Sequence, residues 1–316
     1  METEKQLTVK DFEEALGTPL SAYVAKRIES YNFRYKEFQT EERDKWLLLI
    51  VKTLMTPVIT RAGSNRFNQW EMGWKENLDE FLKSGDLTSL VPRYFGKYKA
   101  IRWRQRFIDP ISEDFERNTL SVIQDWLFDV YLRDVSAVYE FGCGTGLNLL
   151  RARAVNDNAK LYGLDWTNSS QEIIRAMVKK GLLQNAEGRQ FDFFEPDYDM
   201  PLDENGAVYT VAALEQVGAR FEPFVEYLLK NKPKICIHIE PIAEVLDEEN
   251  LLDYLSVEYF KKRNYLSGFL NHLKELERGG KIKIHRAQRS NIGSLFIEGY
   301  SVVVWSPVHE KLETGD

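Results

Sequence analysis

Cysteine is nearly missing from the 316 residues, with two in all, and histidine occurs four times. Two thiols, Cys143 in a glycine-rich loop and Cys236 in an apolar run, supply neither a disulfide framework nor a cysteine-rich metal site. Both read as buried free thiols. His238, His272, His285 and His309 show no H-x₃-H spacing, so no metal is expected. No apolar run approaches the roughly eighteen residues that suggest a membrane span, and the opening METEKQLTVKDFEE is too charged for a secretory signal. The expectation is a cytoplasmic protein with no membrane partner. Positive charge is in deficit as well: 42 Lys and Arg stand against 49 Asp and Glu, a formal charge of -7. Phosphate binding by counterion release needs a basic footprint, so this balance argues against nucleic acid as a partner. Neither a G-x-S-x-G elbow nor a Walker loop occurs, which removes the hydrolase and nucleoside-triphosphatase classes.

What is present is enough apolar residue for a sizeable core, 43% of the chain, with 13% aromatic. From about residue 11 to 129 the pattern is mainly helical, with amphipathic stretches over 11–30 and 41–54 and no strand series. Pro57, Gly63, Gly73, Gly85, Pro92 and Gly96 break the middle into short pieces. From residue 136 the texture changes to short apolar runs separated by helical ones, the pattern of a parallel sheet with crossover helices. Strands are expected over 137–141, 160–165, 188–193, 207–213, 234–240, 281–287 and 300–305. A long helical region is expected over 247–278, ended by Gly279 and Gly280. The division expected is a helical cap or substrate domain over 1–115 and a ligand-binding α/β domain over 116–316.

The most informative segment is Val138-Tyr-Glu-Phe-Gly-Cys-Gly-Thr-Gly146, a strand running into three alternating glycines and then a helix start. Glycines 142, 144 and 146 let a ligand approach the backbone and permit positive φ, while the helix start offers free N–H groups. A dinucleotide fingerprint requires G-x-G-x-x-G/A, which places Leu147 where a small residue belongs. The segment Glu140-Phe-Gly-Cys-Gly-Thr-Gly146 resembles motif I of class I S-adenosylmethionine-dependent methyltransferases, and the resemblance extends over about 136–306. It implies a doubly wound, seven-stranded Rossmann-like α/β sheet joined to a mainly helical N-terminal domain. It also implies S-adenosylmethionine as cofactor and S-adenosylhomocysteine as product.

The same resemblance places Glu140, Gly142, Cys143, Gly144 and Gly146 beside the methionine part of the cofactor. Asp165, nineteen positions after Gly146, falls where a ribose-binding carboxylate is expected after one helix and one strand. Trp166 is expected to flank the adenine, with Asp192 and Phe193 at its edge and face, and Leu214 borders the cofactor after the fourth strand. Ser169-x-x-Glu172 reads as a capping box.

Methyl transfer is an in-line displacement that asks chiefly for alignment and exclusion of water. Glu215 and Glu240, after the fourth and fifth strands, lie at the sheet edge where an acceptor belongs, and either could orient an amine or serve a hydroxyl as base. His238 is a third candidate, although an apolar strand favours a core role for it. Trp74, Tyr94, Arg102, Arg263 and Tyr265 are candidate acceptor contacts. The segment holding Trp70 and Trp74 suits either a lid or packing between domains.

A small-molecule acceptor, N- or O-methylated, is the first expectation. The basic and aromatic stretch from Arg93 to Arg106 motivates an RNA methyltransferase as an alternative, and the two carboxylates a protein methyltransferase. A catalytically silent cofactor-binding scaffold is a further class. The sequence does not fix the oligomeric state.

Overall fold

A computed structural model describes residues 4–308, so His309 lies outside the described residues. The chain runs β1 (Lys5–Gln6), α1 (Val9–Leu16), α2 (Ala22–Ser30), β2 (Arg34–Glu37), α3 (Thr40–Met55), α4 (Phe67–Ser84), β3 (Ile101–Trp103), β4 (Arg106–Pro110) and α5 (Phe115–Tyr131). It continues through β5 (Ala137–Phe141), α6 (Leu147–Val155), β6 (Lys160–Asp165), α7 (Asn168–Lys179), β7 (Ala186–Gln190), β8 (Gly206–Val211), α8 (Glu222–Asn231) and β9 (Ile235–Glu240). Last come α9 (Leu251–Arg263), α10 (Phe269–Arg278), β10 (Ile282–Gln288), β11 (Ile292–Gly293) and β12 (Ser301–Pro307).

The main sheet has seven strands in the order β10-β12-β9-β8-β5-β6-β7. Strands β7, β6, β5, β8 and β9 are parallel, whereas β12 is antiparallel to β9 and β10 to β12. This is the doubly wound, Rossmann-like α/β sheet expected from the sequence. Strand β5 pairs with both β6 and β8, so the winding reverses there and opens a crevice at the carboxyl ends of β5 and β8. Side chains alternate along β5: Val138 joins the core with α5, α6 and α7, while Tyr139 and Phe141 join the core with α8 and α10. That alternation also turns Glu140 to the α5–α6 side.

Contrary to the expectation of no strands before α5, the N-terminal part carries a second sheet, β1-β2-β4-β3-β11. Its strands have two to five residues and charged sequences such as RYKE, too short to show a period of two. The last, Ile292–Gly293, comes from the far end of the chain and pairs with β3.

The amphipathic stretch over 11–30 is two helices, because Gly17 adopts a left-handed cap and Pro19 follows. The region over 247–278 is likewise two, divided after Asn264, which caps α9 in the left-handed region. Strand β7 ends at Gln190, so Asp192 and Phe193 stand in the loop beyond it. The capping box at Ser169 does not form. Helix α7 starts at Asn168, and the Ser169 hydroxyl donates instead to Glu71 of α4. Among the described residues no helix is long and apolar enough to cross a membrane.

Candidate active site

The loop after β5 is built on backbone conformations that favour glycine: φ is +72° at Gly142, +52° at Gly144 and +72° at Gly146. A Cβ on Gly142 would meet the Ala213 Cβ at 2.4 Å, and one on Gly144 would meet Trp74 Cζ2 at 2.9 Å. The loop is thus pressed between the turn after β8 and helix α4. Asp165, at the end of β6, ties it in place by accepting from the Gly144 N–H at 2.9 Å. Its other oxygen accepts from the Thr167 N–H at 3.0 Å and hydroxyl at 2.7 Å. Burial raises its pKa against the pull of those donors.

A narrow cleft lies outside the ends of β6 and β7. Asp165, Trp166, Asp192, Phe193, Gly142 and Trp74 are among its walls, so five residues assigned to the cofactor and one assigned to the acceptor meet there. The Trp166 ring meets Phe67 of α4 edge-on at 5.5 Å. Asp192 fixes the loop by accepting from the Phe194 N–H at 2.8 Å.

Across the glycine loop opens a second, larger cavity of about 790 Å³, which shares Gly142, Trp70, Trp74, Ala212 and Gln216 with the first. Cys143, Gly144, Tyr94, Glu215, Arg263 and Tyr265 all line it. Helix α4 roofs both spaces: Trp70 and Trp74 stack at 5.4 Å, and the Arg66 guanidinium lies over Trp70 at 4.7 Å. Glu71 latches that helix to the start of α7, accepting from the Asn168 N–H at 2.8 Å.

Four expected site residues stand elsewhere. Glu140 is buried, held by Asn148 at 2.7 Å and Tyr209 at 2.9 Å, and lines neither cavity; burial pushes its pKa to about 8. Leu214 is packed in the core with α8. Gly146 caps the start of α6, where a Cβ would meet Ile174 and Met177 of α7 at 3.1 Å. Arg102 is buried away from both cavities, donating to the carbonyls of Leu252, Leu295 and Phe296 and to Ser256. It fastens β3 to α9 and the 295–296 loop.

The three catalytic candidates divide sharply. His238 accepts from Trp305 Nε1 at 3.0 Å, which leaves its proton on Nδ1 to donate to Thr210 Oγ1 at 3.0 Å. Burial lowers its pKa to about 3, so it is a neutral core side chain. Glu240 accepts from the Ala213, Leu214 and Glu215 N–H groups at 3.1, 3.0 and 3.1 Å. It is a clasp for the turn after β8, and burial raises its pKa to about 7 despite those bonds. Only Glu215 of the three faces a cavity. Its pKa rises to about 8, first through burial and next through Glu240, with Gln216, Arg263 and Arg66 opposing.

The basic stretch from Arg93 to Arg106 is largely committed. Arg93 pairs with Glu76 and Glu80, Arg104 with Glu14, and Arg106 with Glu37. Among the described residues no cluster of three or more His, Cys, Asp or Glu is placed to hold a metal ion.

Two cavity residues had no signal in the motifs. Glu116, near the start of α5, accepts from the Tyr300 hydroxyl at 3.0 Å, and burial raises its pKa to about 7. The run of buried polar residues along α5, Glu116, Asn118, Gln124 and Asp125, is the trace it leaves in the sequence.

No family model matches the sequence, and no curated protein is similar to it. Solved structures resembling the chain include a SAM-dependent methyltransferase from Aquifex aeolicus, 17% identical, covering 58% of this chain and 89% of that one with a TM-score of 0.43. Another is the N-methyltransferase NodS from Bradyrhizobium japonicum WM9 in complex with S-adenosylhomocysteine, 11% identical, with 75% and 100% coverage and a TM-score of 0.46. A third is geranyl diphosphate C-methyltransferase from Streptomyces coelicolor A3(2), 10% identical, with 63% and 86% coverage and a TM-score of 0.44.

Proposed function

We propose that the protein is an S-adenosylmethionine-dependent methyltransferase acting on a small-molecule acceptor held in the large cavity. One observation carries the reading: a side-chain-free loop, tied to a strand-end carboxylate by the Gly144–Asp165 bond, separates a narrow aromatic cleft from a roomy cavity. The residues fit the cofactor. The cradle at Gly142 and Gly144 is one that a Cβ would fill, Asp165 Oδ2, which accepts from the Gly144 N–H, retains a lone pair for a ribose hydroxyl, and Trp166 and Phe193 offer ring faces and edges for adenine. When bound, the cofactor supplies a methyl group on a sulfonium. The chain supplies alignment, through the glycine loop and the turn clasped by Glu240, and exclusion of water, through the Trp70–Trp74 roof.

The first 115 residues serve in this reading as the acceptor cap, with α9 and the 294–300 segment completing the wall. The ion pairs of the Arg93–Arg106 stretch favour a small molecule over RNA, since Arg93, Arg104 and Arg106 already have carboxylate partners and Arg102 is buried on carbonyls. A cytoplasmic setting is part of the same proposal. Incubation of the full chain with trideuteromethyl-labelled S-adenosylmethionine and a small-molecule extract of the producing cells should yield labelled small products. Release of S-adenosylhomocysteine with label appearing in RNA or protein alone would contradict this.

A further inference from the structure

Buried charges in folded proteins are normally paired, because a lone ion in a low-dielectric interior is costly. The large cavity departs from that rule on both signs. Glu116 and Glu215 are buried carboxylates on its wall, and neither forms an ion pair among the described residues. Arg66 is 7% exposed, and its guanidinium donates to the neutral amides of Gln69 and Gln216 at 3.1 and 2.9 Å. Arg263 donates to the Thr60 carbonyl and the Tyr265 hydroxyl, with its Nε shielded and without a partner. Tyr94 lines the same cavity.

Other buried charges in the molecule have more of their bonding met. Arg289 pairs with Asp253 and Glu298, Asp125, also on the cavity wall, pairs with Arg27 and Arg151, and Glu240 and Arg102 are held by three or more neutral groups each. The undersaturated set faces the cavity, where ligands can complete it. The methionine end of the cofactor brings one ammonium and one carboxylate. Against the two carboxylates, Glu116 and Glu215, and the two guanidiniums, Arg66 and Arg263, that have no ion-pair partner on the wall, that leaves one of each. Among the remaining wall residues, Tyr98, Tyr259, Tyr265, Phe296 and Tyr300 are aromatic and suit a flat body and a cation near its ring faces.

Resting on the methyltransferase reading, we infer that the acceptor is an amine that also carries an anionic group on an aromatic body, its nitrogen facing Glu215 and its anion facing Arg66. In the transfer the ammonium gives its proton to the Glu215 carboxylate. The freed lone pair then forms the N–C bond as the C–S bond breaks, and the C–S electron pair stays on sulfur. The raised proton affinity of Glu215 brings it toward that of an amine, which suits this exchange.

The test is calorimetric titration of the full chain saturated with S-adenosylhomocysteine, using three probes with a common ring: L-phenylalanine, phenethylamine and 3-phenylpropionate. L-Phenylalanine, carrying both charges, should bind at least about tenfold more tightly than either single-charge probe, as charge-assisted bonds in a dry site require. In Glu215→Gln its advantage over 3-phenylpropionate should vanish, and in Arg66→Gln its advantage over phenethylamine, while S-adenosylhomocysteine still binds both variants. A single-charge probe binding as tightly as L-phenylalanine, or no response to any of the three, would overturn the inference. Failure of S-adenosylhomocysteine itself to bind would instead bring down the cofactor reading, so the two failures are distinct.

Discussion

The strand-end carboxylates and the cavity carboxylates are equally buried but differently employed. Asp165 and Glu240 each receive three hydrogen bonds from nearby backbone and hydroxyl groups, and those bonds fix the glycine loop and the turn after β8. Glu215 receives one, from its neighbour Gln216 at 2.8 Å, and opens onto the cavity. The guanidiniums repeat the contrast: Arg102 is saturated by three carbonyls and a hydroxyl, whereas Arg66 meets only neutral amides. A buried charge with three or four partners chiefly constructs the site, Asp165 keeping one lone pair on Oδ2 for the proposed cofactor, and one with few partners is free to hold a ligand.

The largest expected effect falls on the constructing side. Glu240→Ala leaves three N–H groups without their acceptor and should cost about 3 kcal/mol of stability, lowering the melting temperature by several degrees and abolishing cofactor binding. A variant of unchanged melting temperature would show that the clasp is dispensable. Next comes a matched pair. Arg102→Met, which strands three carbonyls, should cost about 2 kcal/mol in urea unfolding, while Arg66→Met should cost less than about 1 kcal/mol and show its loss in acceptor binding. Equal costs would erase the distinction between the two arginines.

A smaller effect should appear as a pH slope. Glu116, Glu140, Glu215 and Glu240 have pKa values raised from 4.5 to about 7, 8, 8 and 7 by burial. Their protons bind more tightly in the folded state, so they contribute stability at low pH that is lost as pH rises through 7 and 8. His238, lowered from 6.5 to about 3, works in the opposite sense but only below about pH 6.5. Melting temperature should therefore fall between about pH 6.5 and 8, and Glu140→Gln should make the fall shallower. The smallest loss concerns Glu215→Gln, which removes an unpaired buried carboxyl and should not lower stability at pH 7. A loss comparable to that of Glu240→Ala would assign Glu215 to the constructing group.

The seven-stranded sheet was legible because its central strands are apolar runs and its loop carries three glycines in alternation. The residues of the narrow cleft proposed for the cofactor were legible for the same reason: Asp165, Trp166, Asp192 and Phe193 stand at or just beyond the ends of recognisable strands. The small N-terminal sheet was not, since strands of two to five charged residues have no readable period and one of them arrives from residue 292. Glu240 and Arg102 were assigned to the chemistry because a sequence shows which side chains carry charge but not which backbone groups consume it. Glu116 and Tyr300 lie 184 residues apart in the chain, and only the fold brings them together.

Titration of S-adenosylhomocysteine into the wild-type chain and Asp165→Ala tests the proposed cofactor cleft most directly. Saturable binding at one site per chain, weakened at least about tenfold by the substitution with the far-ultraviolet spectrum retained, is the expected result. No binding to the wild type, or the same affinity in both proteins, would contradict it.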